Sequence, residues 1–149
     1  MLLQRIDSEL KDAARARDAQ RLTVLRALKS AIKYREIEAG NELDDAAVIA
    51  VIQTQIKQRR DAASQFTDGG RPELAANELQ EISALEAFLP KQLTDAELDE
   101  LVRAAVAKTG AKDAKGMGLV MKALLPEVQG RAEGKRVSDA VKKALAGTS

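Results

Sequence analysis

Apolar residues along this chain return at intervals of three and four, the period of one face of an α-helix and not the alternation of a strand. Leu2, Leu3, Ile6 and Leu10 open a stripe that Ala13 and Ala14 extend to about Arg17. Asp18 then suits the N-cap of a second helix that runs to Ala39 and stops at Gly40-Asn41. Val24, Leu25, Leu28, Ala31 and Ile32 share one face of it, and Arg26, Lys29 and Lys33 line another. Arg21 and Arg35 fall inside the apolar arc, so they are expected at its ends, with their charged heads turned outward. A third helix starts near Asp44-Asp45, whose carboxylates favour the positive end of a helix dipole. Its apolar side is Val48, Ile49, Ile52, Ile56, Ala63 and Phe66, with a basic patch at Lys57-Gln58-Arg59-Arg60.

Asp68-Gly69-Gly70-Arg71-Pro72 breaks that helix and starts a fourth, because glycine permits the stop and proline suits a first turn. Leu74, Leu79, Ile82, Leu85 and Leu89 form its stripe, so helices three and four read as a long antiparallel hairpin. Leu89-Pro90 ends the hairpin and is the expected domain boundary, dividing residues 1–90 from 91–149. Beyond it, Thr94 with Glu97 forms a capping box, and Leu93 with Leu98 a hydrophobic staple. The helix they start carries Leu98, Leu101, Val102, Ala105 and Val106 and closes at Thr109-Gly110. A short helix is expected from about Lys115 to Leu125, ended by Pro126, with Met117, Val120, Met121 and Leu124 facing inward. The last runs from about Lys135 to Ala146 and is buried through Val137, Ala140, Val141, Ala144 and Leu145. The pattern predicts an all-α protein: an N-terminal four-helix region with a long helical hairpin, plus a small C-terminal three-helix subdomain.

Composition narrows the chemistry. With no Cys and no His among 149 residues, thiol catalysis, Ser-His pairs and most metal-site types are excluded. One Tyr, two Phe and no Trp leave the core to aliphatic side chains and argue against recognition of single-stranded RNA by base stacking. The first residues are amphipathic and soon acidic, without an apolar run long enough for a secretory signal or a membrane span, so a cytoplasmic protein without membrane contact is expected.

The net charge of +1 conceals alternating zones. Residues 1–35 carry nine basic and four acidic side chains, and residues 36–55 five acidic and none basic. Residues 73–100 carry eight acidic and one basic, and residues 101–149 ten basic and four acidic. Such polarity suits an oriented contact with a polyanion, and equally a solvated face.

The order and spacing of several short motifs resemble the YqeY-like (GatB/YqeY) family. They are Arg21-Leu22-x-Val24-Leu25-Arg26, Lys57-Gln58-Arg59-Arg60-Asp61, Phe88-Leu89-Pro90-Lys91-Gln92-Leu93, Met117-Gly118-x-Val120-Met121 and Gly130-Arg131-Ala132-Glu133-Gly134. The resemblance implies an all-α protein akin to the tail of the B subunit of tRNA-dependent amidotransferases. In that enzyme the tail helps to grip tRNA while catalysis lies in other domains, which this chain is too short to contain. Family members commonly have Lys after the Gly of the Met-Gly motif, where this chain has Leu119, on an outer stripe between Lys115 and Lys122.

These readings make a non-enzymatic module the expectation, with tRNA as partner and no cofactor or metal. The candidate nucleic-acid contacts are Lys115, Lys122, Arg131, Lys135, Arg136, Lys142 and Lys143. On the last helix Lys135 and Lys142 lie one side of Asp139, and Arg136 and Lys143 lie the other, all opposite the apolar stripe. The glycines at 116, 118, 130 and 134 match no phosphate-loop fingerprint and read as packing and turn residues. Asp44-Asp45 and Asp99-Glu100 read as helix-start residues, since adjacent positions on a helix diverge. Two other functions fit the pattern: a protein-interaction adaptor that uses the 44–89 hairpin, and an accessory factor to amidotransfer.

Overall fold

The computed structural model describes residues 1–147, and all regular structure among them is helical. Among the described residues, seven α-helices and one 3-10 turn divide, by their contacts, into units of Met1–Leu89 and Pro90–Ser149. The last two positions of the expected C-terminal part, 148 and 149, lie outside the described residues.

In the first unit, α1 (Leu2–Arg15), α2 (Ala19–Ala39), α3 (Asp45–Asp68) and α4 (Pro72–Glu86) enclose one aliphatic core. Ile6, Leu25, Leu28, Ile52 and Leu85 at its centre are fully buried. α1 stops sooner than its apolar pattern suggests. Arg17 takes a left-handed conformation at φ 55°, where its N–H donates to the Ala14 carbonyl (3.3 Å) and that of Asp18 to the Ala13 carbonyl (3.0 Å). This double bond pattern ends a helix. Asp18 then serves the next element, because its carboxylate accepts the Arg21 N–H at 3.2 Å and caps α2.

α3 and α4 pack against each other, and the buried residues of α4 differ from the expected stripe. Leu79 is 53% exposed, while Ala75, Ile82 and Leu85 are buried. Beside this face Arg59 of α3 bonds Glu78 (3.5 Å) and Glu81. Burial outweighs the neighbouring guanidinium at Glu81 and raises its pKa above the ordinary glutamate value. The Arg59 Nε is buried without a hydrogen-bond partner. Arg60 pairs with Glu86 at 3.2 Å. Much of the basic patch at 57–60 is therefore a seam between helices. Arg5 lies 5.1 Å over the Phe88 ring and donates to the Ala87 carbonyl at 2.7 Å, which ties α1 to the end of α4.

The second unit packs α5 (Asp95–Thr109), α6 (Met117–Val128) and α7 (Gly134–Ala146) pairwise around Leu98, Val102, Val120, Leu124, Val137, Val141 and Leu145. The capping box of Thr94 and Glu97 is present in both directions. The Thr94 backbone and side-chain donors hold the Glu97 carboxyl below its ordinary pKa. A 3-10 turn, Ala114–Gly116, contains Lys115 and leads into α6, so α6 begins later than expected. It also runs through Pro126 to Val128. Proline within the last turn removes one helical hydrogen bond, and burial of Val128, only 4% exposed, offsets the loss. Among the described residues no helix is long and apolar enough to cross a membrane.

Candidate nucleic-acid interface

Two of the motifs that carry the family resemblance, 88–93 and 130–134, meet in space through Lys91-Gln92-Leu93 and Gly130-Arg131. The Leu93 N–H donates to the Arg131 carbonyl at 2.7 Å, and the Gln92 side-chain amide donates to the Gly130 carbonyl at 2.7 Å. Gly130 is buried at φ 78°, a conformation that a side chain at this position would resist. The turn it makes lets the Arg131 and Ala132 N–H groups return to the Val128 carbonyl, at 2.9 and 3.1 Å. Segment 91–93 is thus strapped to the α6–α7 turn, directly before the cap of α5.

Two candidate cations belong to this strap. Arg131 directs its Nε to the Lys91 carbonyl (3.5 Å) and its Nη1 to the Glu127 carbonyl (3.3 Å). Arg136 directs its Nη2 to the Leu93 carbonyl (3.1 Å) and to Asp95 (2.8 Å). Both side chains are engaged in holding the start of α5 against the α6–α7 turn. Glu127 is one turn away from Arg131, but Lys91, Leu93 and Asp95 lie about forty residues before the arginines they bind, beyond the reach of any periodicity.

The lysines differ. Lys115, Lys122, Lys135, Lys142 and Lys143 are exposed, and their ammonium groups have no ion-pair partner among the described residues. On α7 the buried stripe Val137, Val141 and Leu145 sets the orientation of the rest. Lys135 and Lys142, seven residues apart, share the outer flank. Lys143 turns to the α5 side, where it borders an open groove with Arg103. On α6, Lys122 stands on the exposed face with Leu119 and Leu125, which are 61% and 58% exposed. Met117 and Met121 are packed against the core. In the first unit the stripe Arg26, Lys29, Lys33 is interrupted, because Lys29 pairs with Asp7, and Arg21 reaches Glu9 at 3.6 Å.

The motif glycines serve different ends. A Cβ on Gly116 would lie 2.5 Å from the Ala111 Cβ, so this glycine permits close approach of the 3-10 turn to the end of α5. Gly118 and Gly134 face open space. Among the described residues no group of three or more acidic side chains is arranged to hold a metal ion. Asp44 accepts the Ala47 N–H at 2.8 Å, a cap and no more.

The family model described as Yqey-like protein matches residues 3–145. The chain belongs to the YqeY-like family. A relative from Pyrenophora tritici-repentis, named altered inheritance of mitochondria protein 41, mitochondrial, is 28% identical over 135 residues, 89% of this chain and 74% of that protein. The protein of the same name from Lachancea thermotolerans is 34% identical over 100 residues, 65% of this chain and 54% of its own length. That of Saccharomyces cerevisiae strain YJM789 is 29% identical over 114 residues, 72% of this chain and 62% of its own length.

These names correct the expectation of a cytoplasmic protein, since the relatives are mitochondrial by name. The physical reason is plain. A search for apolar runs does not detect this compartment, because mitochondrial addresses are amphipathic and Arg-rich and contain no apolar span. Absence of cysteine does not separate the two compartments either.

Proposed function

We propose that this chain is a non-catalytic helical module that engages folded tRNA through lysines of its C-terminal unit. The observation that carries the reading is the contrast among cations. Arg131 and Arg136 are committed to the strap, while Lys135 and Lys142 stand together on the outer flank of α7, unpaired among the described residues. Lys115 and Lys122 extend the set across the 3-10 turn and α6. Ammonium groups on flexible stems suit phosphate contact without sequence readout. The scarcity of aromatic residues favours a folded duplex surface over unstacked bases. The resemblance to the amidotransferase tail suggests the class of RNA. Leu119, where that family commonly has Lys, leaves Lys122 as the cation of the outer α6 face.

Mobility shifts with total tRNA across a salt series test this. Binding at low salt is expected, and replacing Lys135→Glu together with Lys142→Glu should lower the log–log salt slope by about two, near 0.9 per lost phosphate contact. No binding at low salt, or binding indifferent to the double replacement, would overturn it.

A further inference from the structure

A groove of about 640 Å³ runs between α5 and α7, floored by Val102 and Val106 and walled by Ala140 and Ala144. It lies on the flank of α7 opposite Lys135 and Lys142, and the RNA reading makes no use of it. Its lining on α5 extends from Ala96 to Ala107. That span is about 16 Å at 1.5 Å per residue, the length of three helical turns. Walls of alanine let another backbone approach closely, and two parallel-sided helices offer the cradle that a third helix fills.

The rim settles the charge of the occupant. Arg103 and Lys143 both border the groove, and neither has an ion-pair partner among the described residues. The one acidic residue of the lining, Asp99, stands one turn before Arg103 and forms no ion pair with it. Two unpaired cations beside an apolar floor repel a basic helix and leave an acidic one with complementary partners.

We propose that the α5–α7 groove is a docking site for an amphipathic helix of a partner protein, with an apolar stripe for the Val and Ala surface and acidic residues flanking it toward Arg103 and Lys143. The site uses neither Lys135 nor Lys142, and it assigns Lys143, one of the expected nucleic-acid contacts, to a protein partner.

The test uses the full chain and two fluorescein-labelled synthetic helical peptides of about four turns, with leucine at i, i+3, i+4 and i+7. In one, glutamate flanks the leucine stripe, and in the other lysine does. Fluorescence anisotropy should show the glutamate peptide bound at least about tenfold more tightly, with the difference shrinking as salt is raised. Amide shifts on binding should map to α5 and α7. Replacing Arg103→Glu together with Lys143→Glu, both on the exposed rim, should invert the preference. Equal affinity for the two peptides, a preference unchanged in the double variant, or amide shifts elsewhere would overturn the proposal. So would concentration-dependent self-association that perturbs the same residues without peptide, because a second copy would then be the occupant.

Discussion

Arg136 at the start of α7 reaches back to Asp95 at the start of α5, with Nη2 2.8 Å from the carboxylate and 3.1 Å from the Leu93 carbonyl. The two bonds differ in weight. Asp95 is 93% exposed, and an ion pair in such a setting contributes little. The Leu93 bond is partly buried and closes the strap beside a residue of the core. Asp95→Ala should therefore cost less than about 1 kcal/mol. Arg136→Ala should cost about 1.5–3 kcal/mol, the range for a hydrogen bond that involves a charged group. Urea denaturation of both variants checks the order, and equal losses would place the weight on the ion pair.

Arg17 occupies a left-handed position that glycine fills at a lower cost. Arg17→Gly should stabilise the protein by roughly 0.5–1 kcal/mol, the relief of backbone strain less the added freedom of the unfolded chain. A lower melting temperature for the variant would mean that the side chain, and not the turn, decides this position.

Gly116 and Gly118 should respond in opposite directions. Gly116→Ala forces its Cβ against Ala111 and should cost about 1–3 kcal/mol, with partial recovery when Ala111→Gly is added. Gly118→Ala meets nothing within 4 Å on a helical position and should be neutral or stabilising by up to about 1 kcal/mol. Thermal melts of the four proteins decide the matter.

The α3–α4 seam should leave a mark on the pH profile. Burial raises the folded pKa of Glu81, so the folded state holds its proton more tightly than the unfolded state does. The contribution of this group to stability is full below the ordinary glutamate value and falls as pH rises through the raised one. Glu81→Gln removes that titration. The stability of the variant relative to the original protein should therefore increase between the ordinary and the raised value and level off above it. Denaturation midpoints from acid to neutral pH measure the difference, and a difference that falls over that window would contradict the assignment. Glu97 has the opposite sign: Thr94 lowers its pKa, so its contribution is present above the ordinary value and is lost on acidification.

Helices and their ends were legible without coordinates wherever the signal was local. Asp18, Thr94 with Glu97, Gly40 and Gly110 each act on groups within four residues of themselves, and each stands where its spacing implied. The aliphatic stripes of α2 and α7 were equally plain, because the helical period alone decides which residues share a face. Pro126 shows where such signals stop: a breaker in isolation, it is carried through by burial of Val128 two residues on.

The cations were not separable in the same way. Arg131, Arg136, Lys135 and Lys142 look alike along the chain, all charged and all off the apolar stripe of their region. What distinguishes them is a carbonyl or carboxylate brought from elsewhere: Lys91 for Arg131, Leu93 and Asp95 for Arg136, and nothing among the described residues for the two lysines. Arg59 repeats the lesson, since its glutamates lie 19 and 22 residues away on the facing helix. Hydrophobic period determines helices and buried faces because it acts within a few turns. Whether a charge is spent inside the protein or left for a partner depends on which distant backbone and side-chain groups packing brings within about 3 Å, the range of a hydrogen bond, and only the tertiary structure decides that.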